Sequence, residues 1–161
     1  MKIGIVVYSQ TGNTLLVAQK LQEVLGASGL TASIEQVTII GSASPGSKDV
    51  QLDNTPQVDP YDAIVFGAPV QAFSLASAMK AYLEQLPSLK GKKIACFVTK
   101  QLPFHWTGGT RAVGTMKQIC QARGASVFGS DIVVWSKTRR DENINQCVIH
   151  LASLVNKSVA N

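Results

Sequence analysis

The chain has 161 residues, of which 45% are hydrophobic and 16% are charged, and its formal net charge is +5 at pH 7. Disordered chains carry fewer apolar residues and more net charge, so this composition excludes disorder, and the length predicts a single domain spanning residues 1–161. The positive charge favours anionic partners, but the basic residues are scattered and no aromatic residues interleave with them, so no nucleic-acid partner is expected.

Five short segments rich in β-branched or aromatic residues predict strands, and apolar residues spaced three and four apart predict helices after four of them. In chain order the strands are Ile3–Tyr8, Ala32–Thr38, Ala63–Phe66, Ile94–Val98 and Ser126–Val134. The helical stripes are Val17, Leu21, Val24 and Leu25; Leu75, Met79, Leu83 and Leu86; Val113, Met116, Ile119 and Cys120; and, after Asp141, Ile144, Val148, Leu151 and Val155. This order predicts an α/β three-layer sandwich around a five-stranded parallel sheet.

The segments between these elements carry stop and turn signals. Gly26–Gly29, Pro87 and Gly124 are expected to end the first three helices. Residues Gly41–Pro60 contain three prolines and two glycines without an apolar period. We therefore predict a surface connection there, with at most short regular structure.

Membrane segments and disulfides are not indicated. No apolar segment approaches the roughly 18 to 20 residues of a membrane span, and none has the features of a signal peptide, so we expect a cytoplasmic protein. Charge alone would permit the basic segment 137–140 to dock on a membrane surface, and no other feature supports this. Cys96, Cys120 and Cys147 are odd in number and far apart. Neither a disulfide framework nor a metal site is predicted, and each cysteine is expected to be buried.

The turn Ser9–Thr14 joins the first strand to the first helix, where ligands bind in open parallel sheets. A helix N-terminus exposes N–H groups and a partial positive charge, and the hydroxyl and amide side chains of this turn add donors. A helix cap needs only one such residue, whereas six consecutive positions here are polar or glycine. The turn is predicted to bind a phosphate without any lysine or arginine.

Other phosphate-binding loops are excluded by the residues of this turn. A Walker loop needs a Gly-Lys-Ser/Thr sequence, a dinucleotide-binding loop needs three glycines, and a thiol phosphatase needs a loop cysteine. A phospho-receiver would need a cluster of carboxylates, but the first and third strands end in Tyr8-Ser9 and Phe66-Gly67.

The segment "YSQTGNT" resembles the phosphate loop of flavodoxins, which is commonly Ser/Thr-x-Thr-Gly-x-Thr. "YDAIVFGAPV" (residues 61–70) resembles their third strand and second flavin loop, and "CFVTKQLPFHWTGG" (residues 96–109) resembles their fourth strand and third loop. The resemblance covers nearly the whole chain. It implies the sheet order 2-1-3-4-5, for which flavodoxin itself is an established example. It also implies a noncovalently bound FMN.

The resemblance implies that the phosphate of FMN lies on the first loop and that the isoalloxazine ring lies between the other two loops. The implied contacts come from Ser9, Gln10, Thr11, Gly12, Asn13, Thr14, Pro69, Val70, Gln71, Ala72, Phe73, Thr99, Lys100, Phe104, His105, Trp106, Gly108 and Gly109. No catalytic or metal-binding side chain is implied.

The aromatic residues of the second and third loops depart from the pattern that is common in flavodoxins, in which each loop supplies one aromatic side chain to the ring. The second loop offers only Phe73, which either packs in the core, the favoured interpretation, or contacts the ring. Trp106 either contacts the ring or packs at the start of the third helix, and His105 is expected to hydrogen-bond the ring. Gly108 and Gly109 are expected to form a tight turn near the ring or to start the helix at Thr110.

The redox behaviour implied by the family also changes in this chain. Flavodoxins often flip a glycine-containing peptide beside the ring, and the flipped turn needs positive φ, which a side chain opposes. Ala72 and Phe73 occupy that place here, and Lys100, His105 and Arg111 add positive charge in or beside the third loop. We therefore expect mainly two-electron transfer, with little one-electron radical.

These observations predict a redox protein that carries electrons through bound FMN to a redox partner protein or to a small-molecule electron acceptor. An FMN-dependent reductase, or a quinone-linked oxidoreductase acting on a small substrate, is an alternative. A second alternative is a binding module with the same fold and no flavin.

Overall fold

A computed structural model describes residues 1–104 and 107–161. The elements in chain order are β1 Ile3–Val7, α1 Asn13–Ala27, β2 Ala32–Gln36, β3 Ala63–Gln71, β4 Ser74–Leu75, α2 Ser77–Glu84, β5 Lys93–Lys100, α3 Gly109–Ala122, β6 Ser126–Val134 and α4 Arg140–Ala160. The strands and helices therefore follow one another in the predicted order, with β4 as an addition.

The sheet has the order β2-β1-β3-β5-β6, and all four of these pairings are parallel. Counted without β4, this is the predicted order 2-1-3-4-5, which is confirmed. The predicted count of five strands misses β4, which pairs antiparallel with the end of β3. β1 is buried along its whole length, as expected for a strand covered on both faces.

Two hydrophobic clusters confirm the three-layer arrangement. On one face, Met79 of α2 and Met116 of α3 share a cluster with Ile64 of β3. On the other face, Leu21 of α1 and Leu151 of α4 pack with the sheet. The helical stripes found in the sequence are therefore the sides that cover the sheet, because only those sides carry enough apolar surface to be buried.

Two predicted boundaries are wrong near the end of β3. The strand was expected to end at Phe66, but it continues to Gln71, because it pairs with β5 as far as Pro69 and then with β4. Leu75 was assigned to the second helical stripe, but it belongs to β4, and α2 begins at Ser77. Pairing between strands decided both boundaries, and the periodicity of a single segment does not contain that information.

The connection 41–60 has little regular structure, as predicted, apart from a bridge that joins Leu52, in its middle, to Ile39, which precedes it. It is not purely a surface segment, however. Val58 is buried, and the Tyr82 hydroxyl donates a hydrogen bond of 2.6 Å to the carbonyl of Pro56. Burial raises the pKa of the Tyr82 phenol, so this hydroxyl keeps its proton.

The three cysteines are free and buried, which confirms the prediction of their burial. Within residues 1–104 and 107–161, no helix is both long enough and apolar enough to cross a membrane.

Candidate cofactor-binding site

The first loop leaves the sheet between the carboxyl ends of β1 and β3. The Tyr8 N–H donates to the carbonyl of Gly67 at 3.0 Å, and α1 begins at Asn13 after Gly12, which has φ 92°. A Cβ atom built on Gly12 would meet none of the described residues within 4 Å. The first turn of α1 contains no acidic residue. The loop therefore presents the positive end of a helix to open space.

Two hydroxyl groups of this loop have partners within the protein. The Ser9 Oγ accepts a hydrogen bond of 3.2 Å from the Leu15 N–H, so it satisfies one donor of the first helical turn. The buried Thr14 Oγ1 lies 2.9 Å from the Thr99 Oγ1, which ties α1 to the end of β5. These two hydroxyls have structural roles in addition to any role in binding.

The backbone donors of the loop have a different arrangement. The N–H groups of residues 11, 12, 13 and 14 donate to no acceptor among the described residues. Thr11 and Gly12 are exposed. Because unpaired N–H groups at the start of a helix bind anions, the loop has the donor set of a phosphate site.

Tyr8 directly precedes the first loop and adds no negative charge to it. Its side chain is 7% exposed, and burial raises the pKa of its phenol above the ordinary value. The hydroxyl is therefore neutral near pH 7 and does not repel an anion in the first loop.

The second predicted loop is a hairpin with a two-residue turn. Val70 pairs with Leu75 and Gln71 with Ser74, so Ala72 and Phe73 form the turn. Their φ angles are 45° and 64°, although sequence reasoning expected a side chain to oppose positive φ here. The turn nevertheless adopts positive φ, because a two-residue hairpin turn needs left-handed residues to match the twist of its strands. Each non-glycine residue in this conformation costs about 1–2 kcal/mol.

Phe73 was expected to pack in the core, and this prediction is wrong. Its side chain is 48% exposed, because it lies at the tip of a hairpin that extends beyond the sheet. Its backbone instead packs against Gly108, where a Cβ atom would lie 2.3 Å from the carbonyl oxygen of Phe73. The second and third loops are therefore in contact at this point.

The hairpin also contacts the first loop. The Gln71 Nε2 donates a hydrogen bond of 2.7 Å to the Gln10 Oε1. Pro69 and Val70, which were assigned to a loop, lie in β3 just before the turn. The structure thus brings predicted residues of all three loops to one edge of the sheet.

Lys100, the last residue of β5, stabilises the third loop through hydrogen bonds. Its side chain is buried, and its Nζ donates to the carbonyl of Phe104 at 2.9 Å and to the Thr107 Oγ1 at 3.2 Å. The Thr107 Oγ1 donates in turn to the carbonyl of Leu102. The positive charge of Lys100, which was expected to act on the ring, is thus directed to the loop. Sequence reasoning missed the anchoring role of Thr107, for which no motif gave a signal.

The remaining residues of the third loop divide into exposed and buried positions. Phe104 is 54% exposed and Leu102 is 47% exposed, so both present apolar surface on the third loop. Gly109 is buried, and a Cβ atom there would lie 3.1 Å from the Ile132 Cγ2. The predicted contacts of His105 and Trp106 fall outside the described residues.

The parallel sheet with helices on both faces defines an α/β protein whose three predicted loops lie at one edge of the sheet. The flavodoxin domain family matches residues 4–103, which is more than half of the chain. The chain belongs to the flavodoxin family.

Solved flavodoxins share the fold at low sequence identity. Oxidised flavodoxin 1 from Bacillus cereus is 20% identical, with a TM-score of 0.68 over 97% of this chain and 98% of its own. The flavodoxin of Streptococcus pneumonia TIGR4 is 17% identical, with a TM-score of 0.65 over 95% of this chain and 99% of its own. The two-electron reduced flavodoxin of Megasphaera elsdenii is 22% identical, with a TM-score of 0.61 over 91% and 97%. At these identities the likeness is one of fold.

Proposed function

We propose that this protein binds FMN noncovalently and carries electrons through it. The observation that carries the proposal is the first loop, where the backbone N–H groups of residues 11–14 have no acceptor among the described residues and the space above Gly12 is open. The membership of the flavodoxin family supports the choice of FMN over other phosphate esters.

The donor set suits a phosphate dianion in number and charge. A hydrogen bond to a charged group contributes about 1.5–3 kcal/mol, so about four or five donors approach the roughly 8 kcal/mol of micromolar binding before desolvation is counted. The positive end of α1 adds to this, because no acidic residue lies in its first turn. A lysine is therefore unnecessary.

The exposed aromatic side chains of Phe73 and Phe104 support a place for the flavin ring beside the hairpin and the third loop. Aromatic faces bury large apolar surfaces and stack on other rings. The backbone of Phe73 packs on Gly108 and its side chain is 48% exposed, so part of its surface is open to a flavin ring. When bound, FMN supplies the electron chemistry, and these residues hold the ring and exclude water from it.

We propose a redox partner protein with an acidic surface as the other reactant. The net charge of +5 favours an acidic partner, and Leu102 adds an exposed apolar contact beside Phe104. Complementary charge would speed the encounter more than it would strengthen the complex.

A substitution at the exposed residue Thr11 tests the binding of FMN. Thr11→Val removes one hydroxyl donor and breaks no side-chain hydrogen bond to another described residue, so we expect it to weaken FMN binding by about tenfold or more. The affinity for riboflavin, which lacks the phosphate, should stay unchanged. The measurement is fluorescence titration of the apoprotein with each ligand.

The matched control is Thr110→Val, which alters an exposed threonine in the first turn of α3. It should leave the affinity for FMN unchanged. The proposal fails if the apoprotein does not bind FMN, or if Thr11→Val and Thr110→Val have the same affinity for it.

A further inference from the structure

A cleft of about 510 Å³ lies between α2 and α3. Lys80 and Glu84 of α2 line one side, and Arg111 and Thr115 of α3 line another. Lys48 covers it from the connection that precedes β3. This volume falls within the range of roughly 300–1,000 Å³ that is usual for small-molecule sites. We call it the α2–α3 cleft.

The α2–α3 cleft is separate from the first loop. Ser74 and Leu75 of β4 form part of its wall, and none of the residues 9–14 lines it. The contact between the Phe73 backbone and Gly108 fixes the hairpin against the start of α3, so this wall is held in place. A ligand here would therefore occupy a second site and not the phosphate position of FMN.

Positive charge exceeds negative charge in the cleft. Lys80 and Glu84 form an exposed ion pair of 3.8 Å and offset each other. Lys48 and Arg111 have no acidic partner among the described residues. Two cations thus face the same space without compensation, and an anion would be attracted to it.

The position of Arg111 strengthens this conclusion. It is the third residue of α3, whose first turn contains no acidic residue. A cation at the amino end of a helix is disfavoured by the helix dipole, by about 0.3–1 kcal/mol. Ser77, the first residue of α2, also lines the cleft, and no acidic residue lies in the first turn of that helix. A bound anion would interact favourably with the partial positive charges at the amino ends of α2 and α3 and with the charge of Arg111.

Hydroxyl groups add directional donors. The Ser77 Oγ donates to the carbonyl of Ser44 at 2.9 Å, which holds the segment with Lys48 against α2. The Ser47 Oγ lines the cleft and accepts from the Asp49 N–H, so its own hydrogen can donate to a ligand. Guanidinium groups bind phosphate through two parallel hydrogen bonds, so Arg111 suits a phosphate better than a single carboxylate oxygen.

We propose that the α2–α3 cleft binds a phosphorylated small molecule of about nucleotide size, with Arg111 and Lys48 as the phosphate ligands. This site goes beyond the proposed function and does not depend on FMN. It would let a soluble metabolite bind beside the hairpin that borders the proposed flavin site.

Amide NMR spectra of the ¹⁵N-labelled full chain, saturated with FMN, test the proposal. ADP is the probe, and adenosine is the control without phosphate. ADP should shift the amides of residues 46–48 and 111–115, adenosine should not, and residues 9–14 should stay unchanged. The double variant Lys48→Gln/Arg111→Gln should weaken ADP binding by about tenfold or more.

The matched control is Lys90→Gln, an exposed lysine near the amino end of β5. It should bind ADP like the parent chain. The proposal is overturned if ADP shifts no cleft amide, or if the double variant binds ADP as tightly as Lys90→Gln. If FMN does not bind, the titration is run without it. Shifts at residues 9–14 then report the first loop and shifts at 111–115 report the cleft, so the two proposals fail separately.

Discussion

Helices α1 and α3 begin in the same way and differ in what lies above their first residues. Each follows a central strand, and each is preceded by a glycine in the left-handed region, Gly12 with φ 92° and Gly108 with φ 98°. Neither glycine provides a side-chain cap. Among the described residues, nothing lies within 4 Å of a Cβ atom on Gly12, whereas the backbone of Phe73 lies 2.3 Å from one on Gly108.

A glycine before a helix has two uses that the local sequence does not separate. At Gly12 the helix end opens outward, and its N–H groups have no protein acceptor among the described residues. At Gly108 the chain fills the space with its own hairpin. The first arrangement leaves room for a ligand, and the second fixes one loop against another.

We expect the largest difference between the two helix starts when each glycine is replaced by alanine and the free energy of unfolding is measured. Gly108→Ala puts a side chain at positive φ and also drives it into the Phe73 backbone. We expect it to lower the free energy of unfolding by about 3 kcal/mol. Gly12→Ala introduces only the φ strain and should cost about 1 kcal/mol. Urea denaturation of both variants gives the measurement.

Equal losses in the free energy of unfolding for Gly108→Ala and Gly12→Ala would contradict the difference between the two helix starts. They would mean that the hairpin moves aside without cost, or that the space above Gly12 is filled by the chain in solution.

A smaller effect is expected at the hydrogen bond that holds the start of α1 on the sheet. Thr14→Val leaves the Thr99 hydroxyl buried without its partner and should lower the free energy of unfolding by about 1–2 kcal/mol. Because removing both hydroxyls leaves no unpaired group, Thr14→Val/Thr99→Val should lose less than the sum of the single variants. Urea denaturation of all four proteins completes the double-mutant cycle.

Additive losses in this cycle would show that the two threonines act independently. The start of α1 would then be held by the hydrogen bond from Leu15 to Ser9 and by packing. The starts of α1 and α3 would then differ less than the structure indicates.

The smallest effect is expected in the hairpin that fills the space above Gly108. Asparagine tolerates the left-handed region better than alanine, so Ala72→Asn should raise the free energy of unfolding by about 0.5 kcal/mol. Ala72→Val is the matched control, since a β-branched residue is poorly tolerated at positive φ, and it should lower the same quantity. Thermal denaturation followed by circular dichroism compares the two.

A stabilising Ala72→Val, or a destabilising Ala72→Asn, would contradict the left-handed turn. The contact of Phe73 with Gly108 would then need another backbone conformation, and the difference between the two helix starts would lose its explanation.

Patterns in the amino-acid sequence were enough to predict the layers and the position of the first loop, whereas the strand order came from the resemblance to flavodoxins. Strands such as β1 are buried on both faces, so their residues must be apolar throughout, and each helix needs an apolar stripe where it covers the sheet. The polar turn after β1 stood out because it interrupts this pattern at the edge where ligands bind. These signals are local, and a single segment contains each of them.

Contacts between distant segments fix the hairpin, the exposure of Phe73, the partners of Lys100 and the α2–α3 cleft. The positive φ angles of Ala72 and Phe73 cost free energy locally, and the pairing of β3 with β4 and the packing on Gly108 offset that cost. From the sequence, the side chain of Lys100 could point to solvent, to a cofactor or to the loop. Its hydrogen bonds to the carbonyl of Phe104 and the hydroxyl of Thr107 direct it to the loop. Such outcomes depend on atoms from different segments meeting in space, so no pattern within one segment records them.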